Sequence, residues 1–258
     1  MRALTRSEAK LSELRPAIDD VFVGEVTRPE TLRGIANSVD VVMSTVGITR
    51  QKDGLTYQDV DYRGNVNLLN EALTSGVRKF IYVSALKARE MPDLKIVQAK
   101  EAFADELRAS GIDYTVMRPN GFFSDMRDFL DMARRRRVYL FDGGKFRLNP
   151  IHGKDVAEVC VSAIDSPEHE ISFGGPRVYS HREIAEAAFA ALGKKPKISS
   201  LPSFVVPAVL WVLRHVTSST FYGPIEFFLT VLTRDMIGEA RGKELLTDFL
   251  QEEARRTS

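Results

Sequence analysis

The chain has 258 residues, of which 44% are hydrophobic and 28% charged, and this composition is typical of a globular protein with a sizeable core. Its 36 basic and 35 acidic side chains leave a net charge of +1, so there is no global electrostatic basis for binding nucleic acid. The single cysteine excludes an intrachain disulfide framework, and the absence of an apolar signal segment after Met1 favours a reducing, cytoplasmic compartment.

Short runs rich in β-branched and aromatic residues alternate with helical segments over the first two-thirds of the chain. The predicted strands cover residues 2–4, 21–23, 39–43, 79–84 and 114–117, and the helices between the later ones cover 61–74 and 96–109. Both helices end at a Ser-Gly pair that leads into the next strand. This alternation predicts a parallel sheet built from right-handed strand-helix-strand units and covered on both faces.

The alternation breaks after Pro119. Helices are predicted at residues 124–136, 153–164 and 181–192, with short strands at 138–141, 171–173 and 198–201. An apolar stretch, 202–232, follows, and it could form a substrate lid, a shallow membrane contact or helices packed on the main domain. We therefore predict a sheet domain over residues 1–165 and a smaller, largely helical lobe over 166–258.

Several short motifs occur in an order that resembles one known family. Residues 42–47 follow the third predicted strand, and residues 59–62 open the first helix. Residues 82–85 end the fourth strand, and residues 99–100 lie within the second helix. Residues 117–123 follow the fifth strand, and residues 149–157 lie further along the chain. Together they resemble the atypical short-chain dehydrogenases/reductases, in particular the NmrA-like NAD(P)H-binding branch. The C-terminal half also resembles divinyl chlorophyllide 8-vinyl reductases. The resemblance implies a Rossmann-type, doubly wound parallel sheet with a small α-rich C-terminal lobe.

One family feature does not occur in these residues. The first unit of the family is a strand, a Gly-x-x-Gly-x-x-Gly loop and a helix, and no glycines with this spacing occur in the chain. By the family pattern roughly 25–30 residues, the length of one such unit, precede the first strand predicted here. We expect that unit to be encoded upstream of Met1; a true remnant, a degraded copy or a rearranged sheet is the alternative.

The resemblance assigns three residues to the adenosine half of a dinucleotide. Arg6 follows the first predicted strand, where an arginine suits the 2′-phosphate of NADP and an acid would suit NAD. Glu25 and Val26 follow the second strand, near the expected adenine. NADPH is thus the expected cofactor, in preference to NADH.

The nicotinamide half is assigned to the ends of the later strands. Thr45 and Gly47 follow the third strand, and Ser84 ends the fourth, where the family contacts nicotinamide or substrate. Lys100 matches the lysine of the family's Tyr-x-x-x-Lys motif, but Ile96 stands in place of the tyrosine. Lys100 is expected to hold the cofactor and, with Ser84, to act in catalysis. Pro119, Asn120 and Phe122 are expected beside the nicotinamide, with Phe122 forming an apolar wall.

These expectations imply an NAD(P)H-dependent oxidoreductase acting on a small apolar carbonyl compound or activated alkene. Because the tyrosine is absent, a non-catalytic NAD(P)H-binding regulator or assembly factor is an alternative, and a truncated remnant that binds no cofactor is another. The four histidines are scattered without ligand spacing, so no metal site is expected.

Overall fold

The computed structural model describes residues 1–12, 14–51 and 54–256. Its strands, in chain order, are β1 (Arg2–Thr5), β2 (Asp20–Val23), β3 (Val41–Ser44), β4 (Lys79–Val83), β5 (Asp113–Pro119), β6 (Val138–Phe141), β7 (Arg147–Leu148), β8 (Glu170–Gly174), β9 (Tyr179–Ser180), β10 (Ile198–Leu201) and β11 (Glu239–Ala240). Its α-helices are α1 (Asn65–Thr74), α2 (Lys95–Ala109), α3 (Arg127–Arg134), α4 (Gly153–Ser162), α5 (His181–Ala191), α6 (Val206–Val216), α7 (Ser219–Leu232) and α8 (Leu246–Arg256).

A five-stranded parallel sheet in the order β11-β8-β5-β4-β3 forms the centre of the molecule. Every residue of β4 is buried, because its side chains alternate between two covered faces. Phe80 and Tyr82 pack in the cluster beneath α1 and α2, whereas Ile81 and Val83 pack in the cluster beneath α4. The predicted doubly wound α/β fold is confirmed.

The first two strands form a separate parallel pair. Within the described residues, β1 pairs with β2 alone and β3 pairs with β4 alone. Leu4 of β1 and Val42 of β3 nevertheless pack against the same core cluster, so the pair is joined to the main sheet by side chains. The expected strand with its glycine-rich loop stays a prediction.

The predicted helix over residues 61–74 begins differently from an ordinary α-helix. Residues Gln58–Gly64 form a π-helical segment, which continues directly into α1. Such wide turns are rare and are frequent at functional sites. Here the segment buries Asp61 completely, and Asn65 at its end donates hydrogen bonds from Nδ2 to the carbonyl oxygens of Asp61 and Val46.

The C-terminal lobe is interleaved with the sheet domain. Strands β8 and β11 both follow residue 165, yet they pair into the central sheet, whereas β6, which precedes it, pairs with β10 in the lobe. The boundary predicted at residue 165 therefore does not divide the two. The lobe packs α3, α5 and α8 around one apolar core. In the described part of the chain, no helix has the length and apolarity to cross a bilayer.

Candidate functional site

A cavity of about 680 Å³ opens at the carboxyl ends of β3, β4 and β5. Seven of the residues predicted to hold the nicotinamide half or the substrate line it: Thr45, Gly47, Ser84, Lys100, Pro119, Asn120 and Phe122. The carboxyl edge of a parallel sheet is where doubly wound folds bind ligands. The structure therefore brings these predicted residues together.

Lys100 on α2 is paired with a buried carboxylate. Its Nζ lies 2.7 Å from Oδ1 of Asp61, whose side chain is fully buried, while the lysine keeps 14% of its side chain exposed. The other carboxylate oxygen of Asp61 accepts a hydrogen bond from the Ile48 backbone N–H. Burial raises the pKa of Asp61, and the Lys100 ammonium and the Ile48 N–H offset part of that rise. The pair fixes an ammonium group at the cavity wall.

Gly47 lies against this pair. A Cβ atom at position 47 would stand 2.6 Å from Asp61 Oδ1 and 2.7 Å from Lys100 Nζ, which is too close for any side chain. The sequence predicted that Gly47 lies near the nicotinamide, without this reason for a glycine. The observed contacts show that position 47 needs glycine because a Cβ atom there would collide with the ion pair.

Ser84 takes part in a second buried polar cluster. Its hydroxyl donates to Glu101 Oε1 at 3.1 Å and accepts from Arg118 Nη1 at 3.4 Å. Arg118 makes a bidentate ion pair with Glu101 and a further hydrogen bond to Glu170. Burial alone would raise the pKa of Glu101, but the hydrogen bonds and charge of Arg118 outweigh it and leave the pKa below its usual value. The serine hydroxyl is thus held by this cluster at the cavity edge.

Asn120 connects the sheet to the lobe. Its Nδ2 donates to Asn149 Oδ1 and to the Met236 carbonyl oxygen, and its Oδ1 accepts from the Gly121 N–H. These contacts use both amide hydrogens, so this geometry gives Asn120 a structural role at the cavity wall. Pro119 is buried beside it, and Phe122 is partly exposed to the cavity.

The residues predicted for the adenosine half lie elsewhere, along a second cavity of about 650 Å³. Arg6 and Glu25 line it, together with Arg28, Arg63 and Asn67. Arg28 and Arg63 have carboxylate partners at 3.7 Å and 3.2 Å, whereas the Arg6 guanidinium has no hydrogen-bond or ion-pair partner among the described residues. Val26 does not line this cavity, because its side chain packs against Gly64 and the core beneath the sheet.

Three residues that shape the site were not predicted from the sequence. Asp61, buried behind Lys100, was noted there only as part of a helix opening, and nothing in the sequence pattern shows that an acid in the first turn is buried. His181 and Asp125 line the large cavity themselves. Burial lowers the pKa of His181 to about 4 and so keeps the ring neutral. Burial raises the pKa of Asp125, whose carboxylate accepts from the Phe122 N–H and has open surface towards the cavity.

Both ends of a nicotinamide dinucleotide fit the residues present. The large cavity offers the Lys100 ammonium among mostly apolar walls, with Ile48 and Ile96 nearby, which suits a nicotinamide riboside and an apolar substrate. The second cavity offers the free Arg6 guanidinium, which suits a phosphate. The glycine-rich loop that would hold the pyrophosphate does not occur in these residues.

Curated relatives cover a large part of the chain. A photosystem II assembly factor from Synechocystis is 26% identical over 219 residues, which span 83% of this chain and 65% of that protein. A chloroplastic divinyl chlorophyllide a 8-vinyl-reductase from Zea mays is 28% identical over 216 residues, which span 79% of this chain and 53% of that protein. The chain therefore covers less than two thirds of the length of these relatives.

Solved structures share the fold at low identity. The NADPH-dependent quinone oxidoreductase from Escherichia coli, solved with NADPH, superposes with a TM-score of 0.67 at 17% identity, covering 99% of this chain and 89% of that one. The Citrobacter triphenylmethane reductase, solved with NADP(H), gives a TM-score of 0.67 at 16% identity, covering 100% and 90%. The family described as NAD(P)H-binding matches residues 1–167. The chain therefore belongs to this NAD(P)H-binding family and has the fold of the atypical short-chain reductases and epimerases.

Proposed function

We propose that this protein is an NADPH-dependent oxidoreductase that reduces a small apolar carbonyl compound or activated alkene. The observation that supports this most is the position of the Lys100 ammonium, held by buried Asp61 at the wall of a large, mostly apolar cavity. A cavity of this kind, with a few fixed polar groups, is typical of binding sites for apolar substrates.

Different residues of the chain would bind the cofactor, exclude water and supply the proton. NADPH, when bound, supplies the hydride. Lys100 would hydrogen-bond the nicotinamide ribose, and Asp61 keeps its ammonium in place. Phe122 and Phe227 line the cavity and would keep water from the substrate. The proton that the reduced substrate requires would come from Lys100 or from Asp125, whose carboxyl group lines the cavity.

Preference for NADPH over NADH is part of this proposal. Arg6 is the cation of the second cavity that has no partner among the described residues, and an unpaired guanidinium there suits a 2′-phosphate. The quinone oxidoreductase and triphenylmethane reductase of the same fold are described as complexes with NADPH or NADP(H).

The test has two readouts that can be separated. Fluorescence titration measures NADPH and NADH binding, and loss of NADPH absorbance measures turnover with a panel of quinones, enones and aromatic aldehydes. We expect tighter binding of NADPH and turnover with at least one apolar acceptor, while hydrophilic acceptors of similar reactivity stay inactive. The absence of NADPH binding would overturn the proposal and would favour a remnant without cofactor.

A second candidate is a non-catalytic NAD(P)H-binding regulator or assembly factor. Ile96 supports it, because this buried side chain lines the cavity at the position where the family has its tyrosine, so the phenol expected at that position is missing. One of the relatives is named as a photosystem II assembly factor. Under this candidate the wild type binds NADPH without turnover, and Ile96→Tyr, whose hydroxyl can reach into the cavity, gains activity.

A further inference from the structure

The helix pair α6 and α7 leaves large apolar side chains in solvent. Phe204, Trp211, Val216 and Phe221 are 80%, 62%, 70% and 58% exposed. Val209 and Val212 on α6 are also exposed, and we call these six residues the α6 surface. Large apolar side chains exposed together within residues 204–221 mark an interaction site more often than scattered single residues do.

This surface does not result from loose attachment of the helices. Helix α7 is anchored on its inner side, where Phe227, Phe228 and Val231 line the large cavity. Helix α6 packs on α7, and the Arg214 guanidinium on α6 pairs with Glu226, which is 2% exposed. The outer side of α6 is therefore presented by a fixed helix.

Charge at the α6 surface favours an anionic partner. Residues 199–225 contain no aspartate or glutamate, but Glu226 pairs with Arg214 and Asp142 accepts hydrogen bonds from Ser203, so the excess positive charge near the α6 surface comes from cations on neighbouring segments. Immediately before β10 lie Lys194, Lys195 and Lys197, and immediately before β6 lie Arg135, Arg136 and Arg137, all of them exposed.

The pairing of two strands brings these six cations together. The Val138 N–H donates to the Lys197 carbonyl oxygen, and β10 runs parallel to β6 from that point. Arg137 also donates to Ser199 Oγ. Only the four residues of β10 separate this basic cluster from the segment that leads into α6, a span of about 13 Å for an extended strand.

We propose that the α6 surface binds peripherally to an anionic lipid bilayer, with the basic cluster contacting lipid headgroups. Exposed apolar side chains that include an indole suit the boundary between headgroups and acyl chains. Clustered lysine and arginine are attracted to anionic lipid, each adding to the affinity. A second copy of the chain fits less well, because a two-fold contact through α6 would bring two basic clusters close together. This inference goes beyond the proposed enzymatic function and does not depend on it.

Trp211 is the single tryptophan of the chain, so its fluorescence reports on α6 directly. We expect a blue shift on adding vesicles of phosphatidylcholine with phosphatidylglycerol, a much smaller shift with phosphatidylcholine alone, and quenching by brominated acyl chains. Added salt should weaken the effect. The charge-reversal variant Lys194→Glu/Lys195→Glu/Lys197→Glu should lower the partition coefficient by about tenfold or more.

Matched substitutions distinguish binding through the α6 surface from nonspecific binding of exposed apolar side chains elsewhere. Phe204→Ser/Val216→Ser keeps Trp211 and should abolish the shift, while Val161→Ser, at a 61% exposed valine on α4, should leave it unchanged. No shift with either vesicle would overturn the proposal. A blue shift without vesicles that grows with protein concentration would also overturn it, in favour of contact between copies.

Discussion

The two cavities hold their polar groups in different ways. In the large cavity, Lys100 is fixed by an acid that is completely buried, and Ser84 is fixed by the Glu101–Arg118 pair. In the second cavity, the charged groups are exposed or weakly paired, and Arg6 directly follows β1 of a two-stranded sheet outside the main one. The comparison teaches that the proposed nicotinamide site has its polar groups fixed by buried partners, whereas the proposed adenosine site relies on exposed charges.

The largest expected effect comes from breaking the buried ion pair. Lys100→Met leaves the Asp61 carboxylate buried without its partner, so we expect the free energy of unfolding at neutral pH to fall by about 3 kcal/mol. The folded-state pKa of Asp61 is raised above its unfolded value, so its ionisation opposes folding as pH rises. The loss in Lys100→Met should therefore shrink in mildly acidic buffer, as measured by urea unfolding.

The double variant Asp61→Asn/Lys100→Met is the control for this prediction. It removes both charges, so most of the lost stability should return, while NADPH binding should stay weak because the ammonium is absent. Equal instability of the single and double variants would contradict the view that the unpaired carboxylate is the cause.

His181, which also lines the large cavity, gives the next largest effect. Its folded-state pKa of about 4 lies below the ordinary value of 6.5, so the unfolded chain takes up a proton first as pH falls. Stability is therefore lost as the pH falls from about 6.5 to about 4. Between about pH 7 and about pH 5 the wild type should lose about 2 kcal/mol more than His181→Phe. Parallel pH dependence of unfolding in the two proteins would contradict a neutral, buried ring.

The sequence predicted the elements that depend on local pattern. Strands β4 and β10 were predicted within one residue of their bounds, because strand periodicity determines them. The role expected for Lys100 came from the family resemblance, and the structure places this lysine on the wall of the large cavity. Helix α8 was not predicted, and β11 was missed because two residues carry no periodic signal.

The environment of each site residue could not be predicted from the local sequence pattern. Asp61 looks like an ordinary first-turn acid, and only the π-helical segment turns it beneath Lys100. Asn120 was predicted to lie beside the nicotinamide, but a hydrogen bond to Met236, distant in sequence, engages its amide. Such contacts depend on how the lobe folds back over the sheet, and no short segment of the sequence predicts that packing.

A smaller effect is expected at Gly47. In Gly47→Ala the added Cβ would meet Asp61 and Lys100, and the lysine, being the more flexible, would move and break the pair. We expect a loss of about 1–2 kcal/mol in the free energy of unfolding and weaker NADPH binding. Gly153→Ala is the matched control, because its Cβ meets no atom within 4 Å and its backbone suits alanine, so stability should hold or rise slightly. Similar losses in both variants would show that the ion pair is not what requires glycine.

The smallest effect on stability, and the sharpest on specificity, is expected at the adenosine end. Arg6 has no partner among the described residues and is exposed, so Arg6→Ala should change the free energy of unfolding by less than about 0.5 kcal/mol. If its guanidinium meets the 2′-phosphate, the dissociation constant for NADPH should rise about tenfold while that for NADH stays the same, since only NADPH carries that group. Arg33→Ala, at an exposed arginine outside both cavities, should alter neither constant. An equal loss of affinity for the two cofactors would assign Arg6 to a phosphate that they share. The second cavity would then no longer be proposed to select NADPH by charge.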